Sequence, residues 1–250
     1  MLPIRDTIPS RNPPVAVWML ILANAFVFLL ELSMPEPALN EFFHLFGIVP
    51  ARYTHPAWAE FFGLAADDYW PFLTSMFLHG GWTHILGNMW TLWIFGDNVE
   101  DRMGPVRFTV FYLLCGITAG VAHMALNPQS AIPTVGASGA IAGVMGAYFF
   151  LFPHSRVVVL LPVFFLPLFF EVPAVTYLGF WALSQVFSGT LSLAGPQNVG
   201  GVAWWAHVGG FVAGIVLHFA FVRQLGGYRR LARDQYFMET PYLPPGYWRR

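Results

Sequence analysis

Charge is scarce in this chain. Only 10% of its 250 residues are Asp, Glu, Lys or Arg and 56% are hydrophobic, against about 25% and about 45–50% in ordinary soluble domains. A chain so composed is built to face lipid. The formal net charge is −1, and the absence of a long basic stretch leaves no electrostatic footprint for a nucleic acid. Cysteine is almost missing: Cys115 stands alone in an apolar run. No intrachain disulfide can form, and the residue reads as a small buried hydrophobe. No small-residue cleavage pattern follows the first apolar stretch, so it is expected to be a retained span and not a signal peptide.

Six apolar stretches are long enough to matter: Val15 to about Leu32, Trp82 to Phe95, Val106 to Leu126, Ala137 to Phe152, Ala174 to Gly189 and Ala203 to Val222. The second is preceded by the half-apolar Phe72 to Leu78 and ends in the polar cluster Asp97 to Arg102. The fourth holds 16 residues, about 24 Å of helix against a hydrocarbon core of about 30 Å. It is therefore expected to lie sunken, short of one surface. Val157 to Phe170 is also apolar, but it is brief and broken by Pro162 and Pro167, which argues for an interfacial or re-entrant segment.

Arginine placement tests the count. With six spans and the amino terminus inside, Arg5, Arg11, Arg102, Arg107, Arg156 and the six arginines from Arg223 onward are cytoplasmic, and Arg52 alone lies outside. That is a strong positive-inside bias, and a seventh span would put the last six on the far side. The expected architecture is an all-α integral membrane protein, a six-transmembrane-helix bundle with a short, sunken fourth helix. Residues 1–14 form a cytoplasmic segment, 15–222 the six-span domain with an outer loop at about 33–71, and 223–250 a basic cytoplasmic tail. The outer loop is expected to hold short amphipathic helix.

Topology gives depth, and depth points to chemistry. The second, fourth and sixth spans all descend from the outer side, so His84, Asn88, Ser138 and His207 share one leaflet level. Polar and ionisable side chains inside a membrane are costly and are functional candidates by default. Ser138 opens the short helix in Gly136-Ala137-Ser138-Gly139, where first-turn N–H groups without intrahelical partners and the positive end of the helix dipole suit an anion. His84 and Asn88, four apart, project from one helix face toward a common point. Taken singly, a serine in this setting is more often an N-cap, and a pair such as His84–Asn88 more often an interhelical contact. His207 flanks a ridge of Ala206, Gly210 and Gly214, and the fourth span offers a matching groove at Gly139, Gly143 and Gly146 or Ala147. If these faces meet, His207 comes within reach of Ser138 as a general base. No carboxylate lies at that level, so a Ser-His dyad is the natural reading. His79 flanks the site, while His123, His154 and His218 are placed at other levels.

The ordered set His79, His84-Ile-Leu-Gly-Asn88, Gly136-Ala-Ser138-Gly139 and Ala206-His207-Val-Gly-Gly210 resembles the rhomboid family of intramembrane serine proteases, as does the exit sequence Glu100-Asp101-Arg102-Met103-Gly104. The resemblance covers roughly Trp70 to Val222. It implies Ser138 as nucleophile and His207 as its base, with His84, Asn88 and the Ser138 backbone N–H as oxyanion hole. Gly136, Gly139, His79 and Gly210 are then supporting residues, and Glu100 and Arg102 structural ones. It further implies transmembrane protein substrates entering sideways near the second and fifth spans, small residues at the cut, and no cofactor or metal. Two positions depart from the family pattern. Ala142 stands where many members stack an aromatic ring on the catalytic histidine, and Trp70-Pro71 stands in place of Trp-Arg.

Water must reach membrane depth for hydrolysis, so the loops Asn127 to Pro133 and Leu193 to Gly201 are expected to frame a polar cavity open to the outside. The expected location is a membrane of bacterial inner type, crossed many times, with both termini cytoplasmic. Two other classes stay open: a non-proteolytic binder or chaperone of membrane proteins on the same scaffold, which is expected to lack Ser138 or His207, and a histidine-ligated metal or haem membrane protein.

Overall fold

In the computed structural model, residues 2–163, 166–193 and 201–222 are described. The basic tail expected after Val222 and most of the loop expected at Leu193 to Gly201 lie outside them. The chain is mostly helical. Helix α1 spans Val15–Leu32, followed by α2 (Glu36–Phe46), α3 (Pro50–Thr54), α4 (Pro56–Phe61) and α5 (Pro71–Thr74), which runs into a single 3-10 turn at Ser75–Phe77. Then come α6 (Trp82–Met103), α7 (Pro105–Leu126), α8 (Ser138–Leu151), α9 (Ala174–Leu193) and α10 (Trp204–Phe221).

By length and apolarity, α1, α7 and α10 qualify as membrane spans. Helix α8 has 14 residues, which at 1.5 Å per residue is about 21 Å, too short to cross the core. It sits at the centre: eleven of its residues are buried, whereas the outward faces of α1 and α9 show Leu22, Phe26, Phe180, Leu183 and Phe187. Helix α10 packs along α8 with almost no side chain between them. A Cβ on Gly210 would strike the carbonyl of Gly139, one on Gly214 the backbone of Gly143, and one on Gly146 the carbonyl of Phe211. The two small-residue faces do meet. That close approach is what glycine permits at a membrane helix crossing.

Helix α6 is longer than the apolar pattern indicates, continuing through the polar cluster to Met103. The cluster is satisfied where it lies. The buried Glu100 carboxylate accepts hydrogen bonds from the backbone N–H of Ala16 (3.0 Å) and Val17 (2.9 Å), supplying acceptors and negative charge to the free N–H groups that begin α1. Asp101 accepts from the N–H of Arg11 and Asn12. These charges bind the amino-terminal segment to the end of α6, and so do not end the helix.

The expectation of an all-α chain needs correction. Residues Leu2–Asp6 form β1, Arg156–Val163 form β2 and Leu166–Pro173 form β3, an antiparallel sheet in the order β1-β2-β3. The ambiguous apolar stretch is thus a hairpin, with Pro162 opposite Pro167 near its tip. Proline cannot continue a helix here, and near a hairpin's turn its missing N–H costs little. The Val-rich run of β2 buries Val157 and Val159. Nothing local marks β1 as a strand, since its partner is some 150 residues away.

Between α1 and α5, the helices α2, α3 and α4 fold around Arg52, which is 2% exposed. Its guanidinium donates to the carbonyls of Ala65 and Leu45 and to Asp68 at 2.9 Å. The loop is pinned to the segment before α8 by reciprocal bonds between Ile48 and Thr134 (3.0 and 2.7 Å) and by Ala51 N–H to Ser130 O.

Candidate active site

Gly136 sets the approach to α8. Its φ of +123° lies where side chains are rarely accommodated, its N–H donates to Ser75 O at 2.9 Å, and a Cβ there would meet His84 Nε2 at 2.6 Å. Only glycine fits on both counts. The chain then turns so that Ser138 is the first residue of α8. The first bond back to the turn is Ile141 N–H to Ala137 O, so the N–H groups of Ser138, Gly139 and Ala140 precede the helical ladder and carry the positive end of its dipole.

His207, in the first turn of α10 and 9% exposed, is brought to this point by the glycine seam. Its Nε2 lies 2.8 Å from Ser138 Oγ. Its Nδ1 lies 2.7 Å from Oε1 of Gln185 on α9, a residue to which the sequence reading gave no role. Trp181, one turn earlier on α9, sets its ring 5.8 Å from the imidazole at 33°, and Trp204 stands edge-on at 6.3 Å. These rings occupy the neighbourhood that Ala142 leaves without an aromatic.

His84 and Asn88 project from the amino-terminal part of α6. The His84 ring nitrogen Nδ1 accepts a long contact from Gly80 N–H (3.4 Å), and its other ring nitrogen, Nε2, lies beside Gly136. Asn88 Nδ2 donates to His79 Nε2 at 2.9 Å and lies 3.6 Å from the position of a Gly136 Cβ. His79 is itself 1% exposed, and its backbone N–H donates to the carboxylate of Glu31 at 3.1 Å. Glu31, 2% exposed near the end of α1, was also missed. An ionisable residue inside an apolar run is the signal that pointed to it.

A cavity of about 890 Å³ unites Ser138, His207, His84, Asn88 and Trp204, and its wall includes Asn127, Ser130 and Pro133. His123 lines it as well, which corrects its placement at another level. Helix α7 runs opposite to α6 and α8, so a residue close to its carboxyl end returns to the level of their beginnings. The supporting glycines Gly139 and Gly210 lie in the helix seam. His218 bonds Ile215 O and does not line the cavity. Among the described residues, no three His, Cys, Asp or Glu side chains converge as metal ligands.

A serine hydroxyl and an imidazole in contact, N–H donors grouped beside them and an adjoining cavity with polar side chains in its wall make an arrangement suited to acyl transfer. Comparisons with known proteins point the same way. The family model described as Rhomboid domain matches residues 66–224. The chain is 38% identical over 93 residues to "Rhomboid protease GluP" of Bacillus subtilis (37% of this chain, 18% of that one). It is 27% identical over 181 residues to "RHOMBOID-like protein 5" of Arabidopsis thaliana (72% and 50%). It is 30% identical over 148 residues to "Rhomboid protein 1, mitochondrial" of Saccharomyces cerevisiae (57% and 39%). The matched region spans half or less of each of these relatives.

Proposed function

This chain belongs to the rhomboid family, and from that membership we propose that it is an intramembrane serine endopeptidase acting through a Ser138–His207 dyad. The observation that carries the reading is the 2.8 Å contact between His207 Nε2 and Ser138 Oγ at the head of a helix too short to cross the membrane. His207 Nε2 takes the hydroxyl proton as Ser138 Oγ attacks a peptide carbonyl. The oxyanion that forms is held by Ser138 N–H, His84 Nε2–H and an Asn88 amide N–H. His207 then gives its proton to the departing amine, leaving an acyl ester on Ser138. A water from the cavity, deprotonated by the same imidazole, releases the acid. Each oxyanion donor of this kind is worth about 10²–10³ in rate.

Substrates in this reading are transmembrane segments of other membrane proteins, unwound locally so that one carbonyl leaves its helical hydrogen bond. The full reading has six spans, α1, α6, α7, α8, α9 and α10, with α8 sunken, both termini cytoplasmic and the cavity open to the outer side. Supporting it are the arginine distribution along the sequence and a cavity with polar side chains in its wall at the amino-terminal ends of α6, α8 and α10, which run in the same direction. A membrane of bacterial inner type fits the same orientation.

The test is a fluorophosphonate probe with mapping of the labelled residue. Labelling at Ser138, and loss of both labelling and cleavage of a transmembrane substrate in Ser138→Ala at unchanged melting temperature, is the expected result. Near-normal cleavage by Ser138→Ala removes Ser138 from the role, whereas a wild-type chain that neither labels nor cleaves favours the binder reading.

A further inference from the structure

Resting on the protease reading, we infer that Gln185 is a positioning residue that fixes the tautomer and plane of His207. Its side chain is 5% exposed and occupies the one line of α9 that faces protein, together with Ala174, Leu178 and Gly189. Burying an amide in that line is costly unless every polar atom finds a partner, and here each does. Gln185 Nε2 donates to Ser184 Oγ at 2.9 Å and to Trp181 O at 3.2 Å. The Ser184 hydroxyl spends its own proton on Trp181 O at 2.6 Å, so it can only accept from the amide.

These two acceptors settle which way the amide points. Turned over, Gln185 would set its oxygen against a carbonyl oxygen. In the orientation present, Oε1 faces His207 Nδ1 at 2.7 Å, and an amide oxygen only accepts. The Nδ1 must therefore carry the ring proton of the neutral imidazole. The lone pair is left on Nε2, directed at the Ser138 hydroxyl. In the other tautomer Nε2 would hold a hydrogen and could not act as a base toward Ser138.

The same helix turn also holds the ring's plane, because Trp181 lies four residues before Gln185 and packs beside the imidazole. Helix α8 offers no aromatic for this purpose, since Ala142 stands there. During the reaction the imidazolium meets the negative end of the Gln185 amide dipole. A carboxylate at this place would hold the cation more strongly but would carry a buried charge through every other step of the cycle.

The experiment uses the full chain in detergent or liposomes, comparing wild type, Gln185→Met and Gln185→Glu. Three readings are taken: the rate of fluorophosphonate labelling, kcat and KM for a transmembrane substrate from about pH 5 to 9, and the melting temperature. Methionine keeps the length without an acceptor for Nδ1–H. Gln185→Met is expected to lower kcat and labelling about 10–100-fold, as loss of base alignment does, with KM changed less than about threefold. Gln185→Glu restores the acceptor. It is expected to recover labelling and to move the acid limb of the kcat profile to higher pH, because a carboxylate beside Nδ1 raises the proton affinity of the ring.

A residue at 185 that did not touch Nδ1 would leave that limb in place, and one that merely fills space would lose neither labelling nor kcat in Gln185→Met. Wild-type labelling at Ser138 together with unchanged kcat in Gln185→Met overturns the inference alone. If Gln185→Met melts lower, Gln185→Glu decides, and an unmoved acid limb overturns it. A wild-type chain that is never labelled at Ser138 refutes the protease reading, and this inference with it.

Discussion

Helices α8 and α9 are both apolar, yet α8 buries eleven of its 14 residues while α9 buries four of its 20. The difference lies in the size of the side chains. Helix α8 carries Gly139, Gly143 and Gly146 among alanines, so neighbours reach its backbone from several sides. Helix α9 carries Phe180, Leu183, Phe187 and Leu191 outward, where, in the proposed six-span arrangement, lipid serves as well as protein would. The proposed nucleophile thus stands on the most enclosed helix, and the partner of the proposed base on one of the least enclosed. Oxyanion chemistry needs donors held to fractions of an ångström, which the packed helix supplies. A helix touching the bundle along a single line can orient one ring and leaves the rest of its surface uncovered.

The largest expected effect comes from breaking the enclosed side of this contrast. Gly214→Leu places a side chain where the Gly143 backbone stands, and backbone cannot swing aside as a side chain can. Destabilisation of at least about 3 kcal/mol, at the top of the usual overpacking range, should appear as failure to accumulate folded protein, measured by size-exclusion recovery and melting. A variant that melts normally would show that α8 and α10 are not so closely joined.

Next comes the oxyanion side. Asn88→Ala should keep some fluorophosphonate labelling but lose about 10–1000-fold in turnover, with His84 and the backbone N–H supplying the remainder. The double substitution of His84 and Asn88 should cost less than the product of the singles. Asn88 also holds the buried His79, so a clear fall in melting temperature at undiminished turnover would assign it to that strut.

A smaller effect is expected at the foot of α8, where Tyr148 OH donates to Asp6 Oδ2 at 2.6 Å and Asn98 Nδ2 donates to the same oxygen at 2.8 Å. Removal from water pushes the Asp6 carboxyl up from 3.8 to about 7; the Tyr148 hydrogen bond opposes this, and the charge of Asp97 adds to it. A carboxyl that binds its proton more tightly folded than unfolded contributes stability that is complete below about 3.8 and is lost as pH rises through about 7. The melting temperature should therefore fall between about pH 4 and pH 7.5. Asp6→Asn, whose oxygen can still accept from both donors, should flatten that slope. An equal slope in the variant would place the titration elsewhere.

The smallest effect belongs to the exposed face of α9. Phe187→Ala should change melting by no more than about 0.5 kcal/mol, as for other substitutions outside the packed interior, and leave labelling at Ser138 intact. A loss of several kcal/mol would mean that this face is covered by protein.

Much of this contrast was legible in the sequence. Helices α1, α7, α8 and α10 begin and end within a residue of the apolar runs, because apolar length and glycine spacing are local properties. The ordered motifs singled out Ser138, His207, His84 and Asn88, which the fold brings around one cavity. Other features were hidden for definite reasons. The end of α6 looked like a terminus because its charges are neutralised by residues 11 to 17, far off in sequence. The strand β1 has no local signature, and its hydrogen bonds exist only once Arg156–Val163 lies beside it.

Composition and spacing by themselves determined that the chain enters a membrane and which polar residues come to line one cavity, since burial in lipid imposes length and periodicity on each segment separately. Tertiary structure alone decided which atoms touch. Gln185 is one polar residue among several on α9 until α9 is set against α10, and only then does its oxygen meet His207 Nδ1. Glu31 is an anomaly in α1 until His79 arrives beneath it. Hydrogen bonds act over about 3 Å, and contacts of that range between distant segments are fixed by helix packing and not by any pattern within one segment.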